Sequence, residues 1–274
     1  MSLYTSTVVV PRPRTRRWSN ALAGFGFTIG LPVVLLVVWG VSSSIAPAAF
    51  FPPPLKILDA FARTWLGTAF VTEVLPSLGR LTAGILLSVT IGIIAGTLIG
   101  LTRWLRELLE PTLEFFRAIP PPVLVPVMLI LFGPADSTRV IVIVAGSIWP
   151  VLLNTIEGVR ATDSVMTETA RSYALTRGER LRYLVLPAAS PRIMAGVRQC
   201  LSVALILMVI SEMFSTSSGL GFQIVYFQRN YLIAEMWSGI VLLGLVGVLL
   251  ASVFGLIERR VLRWYHGIKE VERA

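Results

Sequence analysis

The sequence predicts an all-α integral membrane protein of about six transmembrane helices, and three observations carry that prediction. The chain is 55% hydrophobic and only 14% charged, with a mean hydropathy of +0.77; a soluble domain carries about 25% charged residues. Several apolar runs approach the roughly 20 residues needed to cross about 30 Å of hydrocarbon. The basic residues, finally, fall mostly in alternate connections. Backbone polar groups in lipid must be satisfied internally, so the apolar runs are read as helices.

A basic tail, residues 1–24, carries Arg12, Arg14, Arg16 and Arg17. The first apolar run is 25–45, and the "APAA" at 46–49 resembles a cleavage site. A signal-peptide core is about 7–15 residues long. This run is longer and more spans follow it, so it reads as a retained first helix. The second span, 78–101, holds Gly84, Ser88, Gly92, Gly96 and Gly100 at every fourth position. Such a stripe lets another helix approach closely, and packing inside one subunit is favoured over a dimer interface. The third, 120–133, is short, so its helix is expected to begin near Glu110 and to be kinked by Pro120, Pro121, Pro122 and Pro126. The fourth and fifth are 138–156 and 193–214. The sixth, 236–257, repeats the small-residue pattern at Gly244, Gly247, Ala251 and Gly255. The membrane-spanning body is therefore 25–257, and 258–274 is a second tail.

An even number of spans puts both termini on one side. With them fall 19 of the Lys and Arg residues, against 5 on the other side: Lys56, Arg63, Arg80, Arg139 and Arg229. Positive charge marks the cytoplasmic side, so both termini and the segment 158–191 are expected there. The net charge of +9 thus sets orientation and meets anionic headgroups. No basic-aromatic pattern points to nucleic acid.

Within 158–191, Asp163 and Ser164 are good N-caps for a helix through Ala174. Met166, Ala170, Tyr173 and Ala174 are expected to share one face. "TRGE" at 176–179 fits a capping box, Thr176 with Glu179. That second helix is expected to bend or stop at Pro187. Two capped amphipathic helices fit an interfacial pair held by lipid phosphates, and equally a docking element for a cytoplasmic protein.

The segment resembles the "EAA" loop of importer-type ABC transporter permeases, in which Glu-Ala-Ala precedes a glycine and then Leu-Pro. Glu168, Ala170, Leu186 and Pro187 match it; Thr169 replaces the middle alanine, Ala174 stands at the glycine's place, and Gly178 is out of register. Alanine there disfavours the left-handed turn that glycine allows. "FFPPPLKILDAF" before the second span, "FRAIPPPVLVPVMLILFG" (116–133), "SGLGFQI" (218–224) and "IERRVLRW" (257–264) look like the nitrate/sulfonate/taurine branch of these permeases.

The resemblance implies a type I importer fold in a bacterial inner membrane and a homodimeric pore. It implies a separate cytoplasmic ATPase, which binds the ATP and receives the loop through Met166, Glu168, Ala170, Tyr173, Ala174, Gly178, Leu186 and Pro187. It also implies an extracytoplasmic binding protein that delivers a small sulfonate-, taurine- or nitrate-like solute. This chain has no G-x-x-x-x-G-K-[ST] phosphate loop, so no cofactor is expected in it.

Arg117 with Pro120, Pro121 and Pro122 is a candidate path or gate, against a static kink and a headgroup anchor. Glu212, near the outer end of span five, is a second path candidate because intramembrane acids are costly. Arg80 reads as an interface anchor, His266 as a solvated tail residue and Cys200 as an unpaired thiol. No Ser/His/Asp, Cys/His or metal-spaced cluster stands out, so neither catalysis nor a metal is expected. A self-sufficient secondary transporter is the alternative. That class shows internal repeats and broken midplane helices, and no repeat relates the two halves here.

Overall fold

The computed structural model describes residues 16–45, 49–214 and 218–265. Arg12, Arg14, most of "APAA", His266, Lys269 and Arg273 lie outside the described residues. The chain divides into two units at Asp59. In the first, α1 (Arg16–Ile45) contains the expected first run and is apolar from Gly30 to Ile45. α2 (Pro54–Trp65) follows "FFPP" and crosses the division.

The second unit is a helical bundle. α3 (Leu75–Leu101) is entered through a π-helical turn at Phe70–Val74. α6 (Asp136–Arg160), α9 (Leu186–Met213) and α11 (Ile233–Val261) are the other long apolar helices. Four helices of the described residues are long and apolar enough to cross a membrane alone: Phe70–Leu101, Asp136–Arg160, Arg177–Met213 and Ile233–Val261. Three of them contain an expected span whole, and Arg177–Met213 contains all of 193–214 but Phe214.

The third span takes a different form. α4 (Arg103–Ala118) and α5 (Leu124–Phe132) are two helices meeting at 79°, not one kinked helix from Glu110. A residue before proline is driven out of the helical region, and Ile119 and Pro120 are both extended, with ψ of 121° and 119°. Pro121 and Pro122 then open the next helical turn, where a missing N–H costs nothing. Freed from α5, α4 is amphipathic. Leu105, Leu109 and Leu113 pack against Ile99, Leu152 and Ile156, while Arg103–Glu107 and Arg117–Glu114 pair on its polar face.

α6 is the centre of the bundle, with α3 on one side and α9 on another. The α3 stripe faces α6 in a constant register. Gly84 meets Ile143, Gly92 meets Val151, Gly96 meets Thr155 and Gly100 meets Val159. Ser88 and Ser147, 59 residues apart, share a buried hydrogen bond of 2.9 Å. Each partner lies 59 positions on, so α3 and α6 run parallel and pack row against row. A Cβ on Gly96 would come within 2.7 Å of the Thr155 Cβ and 2.8 Å of the Leu152 carbonyl oxygen. The stripe therefore serves packing within one subunit, as expected. The α11 stripe differs: a Cβ on Gly244 or Gly255 would meet nothing within 4 Å, and one on Gly247 only Leu205.

Candidate functional site

The segment after α6 is built from local side-chain-to-backbone bonds. Asp163 caps α7 (Ser164–Ser172), accepting from the Val165 N–H at 2.7 Å. At its end the Leu175 N–H reaches the Ala170 carbonyl and the Ala174 N–H reaches that of Arg171. This is a Schellman closure, and it places Ala174 at φ +53°. The left-handed residue is thus the alanine that stands where the family pattern has glycine, while Gly178 sits in the next helix. α8 (Arg177–Arg180) opens with the expected capping box: Thr176 Oγ1 accepts from the Glu179 N–H, and Glu179 accepts from the Thr176 N–H at 2.9 Å. The Thr176 hydroxyl, and after it the Thr176 N–H, hold the Glu179 carboxyl below the usual range.

Two expectations fail here. Pro187 neither stops nor bends the second helix away: α8 continues through a π-helical turn, Leu181–Val185, into α9. In that widened turn the Leu186 N–H bonds back to Leu181, so no tight i−4 carbonyl opposes the proline ring at the start of α9. The same device precedes Pro76, after Phe70–Val74. Nor do Met166, Ala170, Tyr173 and Ala174 form one docking face. Ala170 is 6% exposed and Tyr173 79%. The Schellman closure folds the chain back over Ala170, and α7 packs on the Leu181–Val185 turn. The outward apolar side chains are Val165, Met166 and Tyr173. Glu168 is exposed and makes no side-chain bond among the described residues, so it does not cap the loop.

The break between α4 and α5 opens a cavity of about 240 Å³. Its lining includes Arg117, Pro121, Trp149, Asn154, Glu157 and Gln199. Phe116 stacks on Trp149 at 5.4 Å and 7°, and Glu157 pairs with Arg192 at 2.9 Å. Arg117 and Pro121 are thus brought together, whereas Pro120 and Pro122 are exposed and do not line the cavity. Sequence reasoning missed Asn154 and Gln199, although each is a polar residue inside an apolar run, which is a readable signal.

At the opposite end of α9, Glu212 is 0% exposed. Its Oε1 accepts from the Arg80 guanidinium at 2.6 Å and from Ser77 at 2.7 Å; Oε2 accepts from the Gly221 N–H at 3.0 Å. Asp136 lies 3.0 Å from Arg80 and 3.1 Å from Arg139, and Glu73 accepts from the Gly219 N–H at 2.7 Å. Gly219, at φ +121°, lies so close to the Glu212 carboxylate that a Cβ would overlap it. Arg80 is therefore half of a buried ion pair and not an interface anchor. Glu212 fastens α3, α9 and the start of α10 (Leu220–Arg229) together, its side chain fully buried among the described residues.

With these sites in place, comparison with known proteins is informative. Residues 88–264 match the family model for the binding-protein-dependent transport system inner membrane component. The chain is 29% identical over 236 residues to the putative aliphatic sulfonates transport permease protein SsuC of Bacillus subtilis, covering 85% of this chain and 86% of that one. It is 28% identical over 246 residues to the taurine transport system permease protein TauC of Escherichia coli, covering 87% and 89%. The bicarbonate transport system permease protein CmpB of Synechococcus elongatus is 29% identical over 261 residues, covering 90% and 93%. Among solved structures, a chain of the inward-facing MetNI methionine ABC transporter aligns with a TM-score of 0.58 at 19% identity, covering 69% of this chain and 94% of that one. That likeness concerns the fold.

Proposed function

This chain belongs to the family of binding-protein-dependent transport system inner membrane components and is a permease subunit of an ABC importer; on that premise we propose its solute class, its orientation and the joint through which it is driven. The solute is a small sulfonate- or taurine-like molecule, delivered by an extracytoplasmic binding protein. The names carried by the SsuC and TauC relatives support that class. Two copies form the path in the bacterial inner membrane. The open small-residue stripe on α11 supports a further helix packing there. Both termini and the 158–191 segment face the cytoplasm, where the basic side chains gather. The cavity at Arg117 and Pro121 forms part of the path, at the break where α4 and α5 can change angle.

One observation carries the coupling assignment: the capped loop holds Val165, Met166 and Tyr173 outward beside an exposed Glu168 that has no side-chain partner among the described residues. Two capped helices rigid enough to transmit force, ending in an exposed apolar patch, suit a protein groove. The separate ATPase seats there and binds the ATP. Its closure on ATP moves the loop, and differential contacts in the two states drive alternating access.

The test is co-purification with the ATPase together with solute uptake. Glu168→Lys and Tyr173→Asp are expected to abolish both while the permease accumulates normally, because neither side chain is buried. Full uptake with normal ATPase association in both variants would return the loop to an interfacial role. A cysteine at Leu175 is expected to react only from the cytoplasmic side; labelling from outside intact cells would reverse the orientation.

A further inference from the structure

We propose that the cleft between the end of α3 and the α7–α8 hairpin binds the headgroup of an anionic phospholipid. Its lining is Leu101, Arg171, Arg177, Gly178, Arg180, Leu181 and Val185, around about 660 Å³. Three arginines therefore converge from two helices, and no acidic side chain lines the space with them. None of the three has a side-chain hydrogen bond or ion pair among the described residues. The adjacent acid, Glu179, is engaged by Thr176 through both its backbone N–H and its hydroxyl. Arg171 and Arg177 are exposed and Arg180 is half-buried, so the cleft presents an open cationic surface to an anion. Guanidinium forks match the paired oxygens of a phosphodiester.

The other half of the lining selects among anions. Leu101 is the last residue of an apolar helix long enough to cross a membrane, and Leu181 and Val185 belong to the turn that leads into another. A free inorganic anion makes no use of such a wall. A lipid does, because its phosphate meets the arginines while its glycerol and first methylenes follow the leucines. Basic pockets at the membrane surface between helices are the usual headgroup sites. A protein partner is the weaker choice, since the exposed apolar side chains of α7, Val165, Met166 and Tyr173, do not line this cleft. The inference needs this end of the bundle to lie at a membrane surface, and it stands independently of the solute class.

The test is native mass spectrometry of the full-length chain in neutral detergent with added phosphatidylglycerol and phosphatidylcholine. Phosphatidylglycerol is expected to remain bound in preference. Arg171→Gln, Arg177→Gln and Arg180→Gln should each weaken it about fivefold, and the triple variant should lose the preference. Arg103→Gln with Arg106→Gln, on α4, should retain it. If the triple variant does not accumulate, the single variants carry the test. Unchanged phosphatidylglycerol retention in the variants, or equal retention of the two lipids by the parent chain, overturns the proposal. Displacement of the lipid by an equal concentration of inorganic phosphate would make the cleft a free-anion site. Loss of ATPase association by the arginine variants, with phosphatidylglycerol retention unchanged, would make it a protein contact. Either result also overturns the proposal.

Discussion

The two ends of the bundle treat charge in opposite ways. At the Glu212 end, Arg80, Arg139, Asp136, Glu73 and Glu212 lie within one network, and Arg80, Arg139 and Glu212 are nearly or fully buried. At the other end Arg171, Arg177 and Arg180 line an open cleft without a carboxylate. Buried charges hold only if paired, so the first set serves the fold: it pins residues 218–221 to α3 and α9. Among the described residues the second set has no side-chain partner, and it is available to what lies outside the bundle. Charge count alone would not separate the two; burial and pairing do.

Substitutions can break that contrast. The largest effect is expected from Arg80→Met, which strands the Glu212 carboxylate. Removing one partner of a buried pair costs about 3–5 kcal/mol. It is read as a lowered midpoint of thermal unfolding in detergent, partly restored in the Arg80→Met/Glu212→Leu double variant. Next comes Gly96→Ala, whose Cβ would meet a backbone carbonyl at 2.8 Å; overpacking of this kind costs about 1–3 kcal/mol. Gly79→Ala, on the same helix but off the stripe, should be neutral by the same measurement, since nothing stands within 4 Å of that site.

Smaller effects are local to the loop. Ala174→Gly relieves the positive φ and should stabilise the hairpin by about 1 kcal/mol. The readout is slower hydrogen exchange at the Ala174 and Leu175 amides. Thr176→Ala removes the cap and should speed exchange around Glu179 to a similar extent, about 1 kcal/mol. Smallest of all, Arg177→Gln should change thermal stability by no more than about 0.5 kcal/mol. A loss as large as that of Arg80→Met would show that the open arginines also hold the fold, and the contrast between the ends would fail.

What sequence alone determined is what rests on neighbours in the chain. Hydropathy marked the helices because lipid penalises every unpaired backbone group. Asp163 and the Thr176–Glu179 box were legible because a cap and its target lie two or three residues apart. The α3 stripe was legible as a face, since four-residue spacing returns to one side of a helix. Ala174 was marked as the strained position by its place in the family pattern.

Only the tertiary structure decided what lay across each face. Nothing local says that Arg80 answers Glu212, 132 residues away, or that the α3 stripe meets α6 while the α11 stripe meets almost nothing. Ala170 looked available by periodicity and is buried because the chain beyond it turns back. The 79° break after Ala118 and the unbroken passage through Pro187 show one residue type with opposite outcomes. At Ile119–Pro120 the chain goes extended; at Pro187 a preceding π turn has already relaxed the carbonyl that proline would strike. Local rules give the price of a conformation or an unpaired group, but whether it is met depends on atoms that only the folded chain brings near.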